Sequence, residues 1–113
     1  MVPDVATGLR ADPVFQRGLD LFHRGEYFEC HEVWEDLWRV SGPPRRLFLP
    51  ALIHLAVSAY HRESGNPAGA ARQMAKALKK LAGYLPAYEG LDTWTAYREA
   101  AAGRSRVTLS WLS

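Results

Sequence analysis

The sequence predicts an all-α protein, a single compact bundle of about five helices in which neighbouring helices run antiparallel. Apolar residues recur at helical spacing along most of the chain, and no stretch alternates apolar and polar residues over the length of a strand. Capping residues, prolines and glycines divide the chain into segments of helical length. The links between these segments are short, so sequential helices should lie side by side.

Local signals justify each helix in turn. Asp12-Pro13 and Asn66-Pro67 each place a capping side chain before a first-turn proline, and Asp92 caps the last helix. Pro50 lies inside the third helix and is expected to bend it. The predicted helices cover residues 13–25, 26–40, 44–63, 67–84 and 92–102.

The 113 residues are expected to form one domain. A chain of this size buries roughly two-thirds of its unfolded surface and needs neither a metal nor a disulfide to do so. Residues 1–11 are predicted to be a loosely held N-terminal arm. Residues 103–113 carry Leu109, Trp111 and Leu112, and they are predicted to be a tail that packs back on the body.

Composition indicates a globular cytoplasmic protein, since 48% of the residues are apolar and 23% are charged. The first residues contain no apolar signal segment, and the most apolar stretch, 47–60, is too short to span a bilayer. The single cysteine, Cys30, fits a reducing compartment. A net charge of +2 does not indicate a nucleic-acid partner. The apolar content of so small a chain is compatible with a homodimer.

Polar side chains interrupt the apolar faces of the second and third helices. His31 and Glu35 lie one turn apart on an aromatic face of the second helix, while His54 and His61 are seven residues apart on the third. Because the two helices are sequential, we expect these groups to face one another. The predicted polar or ligand-binding cluster consists of Glu29, His31, Glu32, Glu35, His54 and His61.

Three interpretations of this cluster remain open. It fixes the register of the two helices or binds a small polar ligand. Alternatively, His31, Glu35 and His61 hold zinc, manganese or iron in a hydrolase-like enzyme, with Glu32 as general base. In the third interpretation, the chain is a protein-binding module that uses an aromatic surface. The aromatic residues considered for that surface are Tyr27, Trp34, Trp38, Trp94 and Trp111.

The fourth predicted helix is basic. Two interpretations apply, a phosphate-binding stripe and a solvated helix face, and the second is the commoner use of such residues. Arg45-Arg46 adds to the basic character of the chain. The basic side chains of the fourth helix are Arg72, Lys76, Lys79 and Lys80.

Two segments, GEYFECHEVWEDLWR and LIHLAVSAYHRESGNPAGAARQMAKALKKLAGY, resemble a small prokaryotic family known as domain of unknown function 309. The resemblance covers roughly residues 15–92 and combines F-E-x-H-E-x-x-E-x-x-W with a later A-x-x-x-Y-H and G-N. It implies an all-helical fold and no particular activity. At His54, the family pattern has glutamine more often. The matching residues are Phe28, Glu29, His31, Glu32, Glu35, Trp38, Tyr60, His61, Gly65 and Asn66.

Overall fold

Five α-helices make up most of the chain in the computed structural model, which describes residues 8–113. Consecutive helices from α1 to α4 pack against one another through links of three or four residues, and α5 packs on α4. Such short links make consecutive helices antiparallel. The helices are α1 (Pro13–His23), α2 (Tyr27–Val40), α3 (Arg45–Glu63), α4 (Pro67–Leu81) and α5 (Thr93–Ala101).

The predicted all-α class is confirmed, and each predicted helix is present. The three predicted caps also form: Asp12 accepts the backbone N–H groups of Val14 and Phe15, and Asp92 accepts that of Thr95. Asn66 caps α4 in the same way. The last predicted turn of the fourth helix is a short 3₁₀ helix, Ala82–Tyr84. The helix boundaries therefore follow from local hydrogen bonding that the sequence encodes directly.

A two-stranded antiparallel hairpin between α4 and α5 was not predicted. Its strands are β1 (Ala87–Tyr88) and β2 (Leu91–Asp92), and Glu89 and Gly90 connect them with φ angles of 48° and 84°. Two positive φ angles are the geometry of a tight hairpin turn. Strands of two residues are too short to produce a period-two pattern, so hydrophobic periodicity does not predict them.

Both ends of the described chain contact this hairpin region. Residues 1–7 of the expected N-terminal arm lie outside the described residues. Leu9, also assigned to that arm, is fully buried in a 3₁₀ helix, and its N–H donates to the Glu89 carboxylate at 2.9 Å. In the tail, Leu109 is fully buried and Trp111 forms a β-bridge with Leu91. The hairpin region thus contacts segments from both ends of the described chain.

The core between α1 and α2 is built on Trp34. Its indole is fully buried, stacks on Phe15 with a centroid separation of 5.6 Å, and lies 6.0 Å from the Phe22 ring. The indole N–H donates to the Phe15 carbonyl oxygen at 3.2 Å. A Cβ on Gly18 would overlap the indole ring. Gly18 therefore sets how closely the two helices approach.

No helix within residues 8–113 combines the length and the apolar character that a membrane crossing requires.

We predict that Gly18→Ala lowers the free energy of unfolding by about 1–3 kcal/mol, because the added methyl group overpacks the Trp34 site. Denaturant unfolding followed by circular dichroism measures the change. Gly83→Ala is the matched control, since a Cβ there meets nothing within 4 Å, and it should stay within about 0.5 kcal/mol of the parent. Equal stability of the two variants would contradict the proposed packing.

Candidate functional site

The second helix, α2, divides its residues among three surfaces. Its buried face packs in the core and consists of Tyr27, Cys30, Trp34 and Leu37. Its outer face is exposed and carries Glu29, Glu32, Asp36 and Arg39. A third group lies at the side of the helix between these faces and consists of Phe28, His31 and Glu35.

The imidazole of His31 is held within its own helix. Its Nδ1 lies 2.8 Å from the Phe28 carbonyl oxygen, so the neutral ring donates the Nδ1 proton there and keeps Nε2 as an acceptor. Nε2 lies 3.7 Å from Glu35 Oε1, and Arg39 Nη2 is 3.8 Å from the same oxygen. The His31 and Glu35 side chains are 21% and 41% exposed. Water reaches this pair, which therefore contributes little to stability.

His54 is bonded to α4. Its Nδ1 lies 2.7 Å from Gln73 Oε1, and the ring is the donor because an amide oxygen only accepts. One turn further along α3, the Ser58 hydroxyl donates to the Ala70 carbonyl oxygen at 2.8 Å. These two bonds satisfy polar groups in the otherwise apolar middle of α3 and hold α3 against α4.

His61 lies in the last turn of α3 and contacts the link to α4. Gly65, with φ of 75°, takes the left-handed conformation that ends α3. Asn66 Oδ1 accepts the Gly69 backbone N–H at 3.0 Å, and Asn66 Nδ2 lies 3.3 Å from His61 Nδ1. A Cβ on Gly69 would overlap the Asn66 amide. The His61 imidazole, the Asn66 amide and Gly69 thus lie in contact at the start of α4, and we call these residues and the turn glycine Gly65 the capping unit.

These contacts correct the expectation of a single cluster between the second and third helices. His31, His54 and His61 each have a different partner, because α3 packs on α4 as well as on α2, and α4 takes His54. Within residues 8–113, no group of three or more His, Cys, Asp or Glu side chains is arranged to hold a metal ion. Within the described residues, His31, Glu35 and His61 are thus not grouped as a three-ligand metal site requires, and metal binding stays a prediction.

An open groove follows the outer face of α2 and has a volume of about 320 Å³. The α2 residues contribute an excess of carboxylates, and α1 contributes Arg17. Such a surface presents local negative charge to solvent. A role for Glu32 as a general base stays a prediction. The residues that line the groove are Arg17, Glu29, Glu32, Val33, Glu35, Asp36 and Arg39.

The basic pair Arg45-Arg46 is engaged inside the molecule. Arg45 lies 3.7 Å from Asp12 and 3.5 Å from Glu89, so it joins the start of α3 to the α1 cap and to the hairpin. The Arg46 guanidinium lies 4.1 Å from the Trp38 ring centroid and donates to the Trp38 carbonyl oxygen at 2.9 Å. Both arginines therefore hold elements of the fold together, and Arg46 caps the end of α2.

A pair of exposed rings lies beside the acidic groove. Phe28 and Tyr60 have ring centroids 5.3 Å apart, and each packs on an imidazole: Phe28 on His31 at 5.1 Å and Tyr60 on His61 at 5.9 Å. We call these four residues the ring surface. Phe28 and Tyr60 were not among the predicted site residues. Both residues belong to the motif that carries the family resemblance, and this was the available signal.

The fold and these contacts define a class, a small all-helical bundle protein with an aromatic and acidic surface on its second helix. Residues 15–73 match the family model described as Domain of unknown function (DUF309). The match covers more than half of the chain, and the chain belongs to this family, as the motif residues implied.

A relative from Bacillus subtilis (strain 168), the uncharacterized protein YpuF, is 41% identical to this chain over 70 residues. The alignment covers 59% of this chain and 40% of YpuF. The chain therefore spans less than half the length of this relative.

We predict that Asn66→Ala lowers the free energy of unfolding by about 1 kcal/mol, because the Gly69 N–H loses its acceptor. Urea unfolding measures the loss. Asn66→Ser is the control, since a serine hydroxyl can cap the same N–H, and its loss should be smaller. An equal loss in both variants would argue against the capping role.

The thiol of Cys30 is expected to be inert in the native protein. Its side chain is fully buried, and burial raises the pKa of the thiol, whereas thiol reagents require an accessible thiolate. Labelling with an aromatic disulfide at pH 8 should be slower in native than in unfolded protein by at least about a hundredfold, because reaction awaits opening of the fold. Rapid stoichiometric labelling under native conditions would contradict this burial.

Proposed function

We propose that this chain is a protein-binding module, and that the surface formed by α2 and the ring surface receives a cationic helical segment of a partner protein. The observation that carries the proposal is the exposure of Phe28 and Tyr60 next to Glu29 and Glu32, whose carboxylates form no ion pair within residues 8–113. Binding, rather than catalysis, is what this arrangement favours.

The exposed rings supply the apolar part of such an interface. Phe28 is 48% exposed and Tyr60 is 39% exposed. Aromatic side chains commonly dominate the binding energy of protein interfaces when they become buried. Both rings already pack on imidazoles, so their orientation is restricted before a partner arrives, and less side-chain entropy is lost on binding.

The carboxylates determine the charge of the partner. Among residues 8–113, neither Glu29 nor Glu32 takes part in an ion pair. Glu29 follows Phe28 directly, and Glu32 lies one turn further along the helix. A lysine or arginine placed here would meet both a carboxylate and the face of an aromatic ring. A helical segment suits the groove because the groove follows the axis of α2.

The residues that carry the family resemblance separate into two groups. The turn residues of the capping unit and Trp38 have contacts that stabilise the fold. In contrast, Phe28, Glu29 and Glu32 are exposed, so core packing does not explain them. Exposed aromatic and acidic side chains on one helix face are candidates for binding a partner of opposite charge.

A designed helical peptide with lysines along one face tests the proposal. We expect the peptide to bind the protein, and Phe28→Ala to weaken binding by about tenfold, which corresponds to about 1.4 kcal/mol. Fluorescence anisotropy of the labelled peptide at low salt gives the dissociation constants. Trp94→Ala is the matched control, because Trp94 is 47% exposed on α5, and it should bind like the parent.

Two results would count against the proposal. One is equal affinity of the parent protein for the lysine peptide and for its glutamate counterpart. The other is equal weakening of binding in the Phe28→Ala and Trp94→Ala variants, since the interaction would then not be located on α2.

A further inference from the structure

We infer that the cationic segment that binds the α2 surface is α4 of a second copy of this chain. This inference rests on the proposed function and names its partner. The two surfaces involved are a row of acids on α2 (Glu29, Glu32 and Asp36) and a row of bases on α4. The basic row consists of Arg72, Lys76 and Lys79.

The two rows match in spacing when the helices run antiparallel. From Glu29, the acidic row places its next members three and seven residues further on. Read backwards from Lys79, the basic row places Lys76 and Arg72 at the same intervals of three and seven residues. At 1.5 Å per residue, both rows are about 10.5 Å long. All three charge pairs therefore align in a single register.

The charges in these rows are largely uncommitted within one copy. All six side chains are exposed. Among the described residues, Asp36 pairs with Arg39 at 2.6 Å, whereas Glu29, Glu32 and the three bases form no ion pair. A contact between copies would thus add interactions and leave the existing ones largely in place. Complementary charge sets register and association rate.

The side chains beside the two rows are also compatible with this contact between copies. At 100° per residue, Phe28 lies at one side of the acidic row, and the exposed Ala75 lies at one side of the basic row. Ala82, the exposed C-cap residue of α4, lies on the same side as Ala75. In an antiparallel pair of helices these two sides meet. Alanine leaves room for an aromatic ring, so burial of Phe28 can accompany the charge pairing.

The two rows lie on different helices, so the contact is heterologous: the acidic row of one copy binds the basic row of the next. This arrangement differs from a two-fold dimer, because each copy keeps one unused row and can add another copy. Nucleic acid is the competing partner for the basic row. The match in register favours a second copy, and the test includes both.

Charge reversal tests the inference. Sedimentation velocity over a range of protein concentrations, in low and in high salt, measures self-association. We expect the parent to associate at low salt and to dissociate at high salt. Glu32→Lys alone and Lys76→Glu alone should each raise the dissociation constant at least about tenfold, because each places like charges opposite one another.

Two samples should restore association: an equimolar mixture of the Glu32→Lys and Lys76→Glu variants, and the double variant. In each, reversed charges on one copy face reversed charges on another. Lys80→Glu is the control on α4, because Lys80 lies outside the row, and its effect should be much smaller. Circular dichroism verifies that every variant keeps the helical fold.

Three results would overturn the inference. The first is a parent protein that stays monomeric at all concentrations in low salt. The second is self-association that neither single reversal weakens, or that the mixture fails to restore. The third is a monomer whose basic row binds a short DNA duplex and loses that binding in Lys76→Glu. In each case, binding of the lysine peptide that depends on Phe28 would leave the proposed function standing.

Discussion

The contact between the Trp34 indole and the backbone at Gly18 determines how the rest of the molecule is arranged. Because Gly18 has no side chain, α1 and α2 approach closely enough for the indole to lie between them and stack on Phe15. With Trp34 turned inward, helical geometry turns Glu29, Glu32 and Asp36 outward. The acidic surface that we propose for binding is thus a direct consequence of how the core is packed.

Polar side chains on α3 serve mainly to position α4. His54 and Ser58 both bond to α4, and Asn66 caps it while contacting His61. An unsatisfied buried polar group costs about 1–3 kcal/mol, so such bonds select one arrangement of the two helices over its alternatives. The histidines and glutamates that resemble a metal motif in the sequence therefore have two different roles. Some of them stabilise the fold, and the others lie at the rim of the proposed binding surface.

The net charge of the chain is only +2, but its acidic and basic residues are concentrated on different helices. The second helix carries four acids and one arginine, whereas the fourth carries four bases and no acid. Two such surfaces on a small protein produce local fields that the total charge does not reveal. Exposed ion pairs contribute little individually, so their effect depends on alignment in a row and on adjacent apolar burial. Phe28 supplies that apolar component.

The sequence by itself determined the helices, because caps, prolines and left-handed glycines act through hydrogen bonds between residues only a few positions apart. Helical periodicity, which is also local, placed Glu29, Glu32, Asp36 and Arg39 on one side of α2. Only the tertiary structure decided the partners of His54 and the pairing of Phe28 with Tyr60. These choices depend on which helix lies beside which, and at what rotation. The β-hairpin of two-residue strands was likewise beyond sequence periodicity, because the burial of Leu9, Leu91 and Leu109 around it joins residues far apart in the chain.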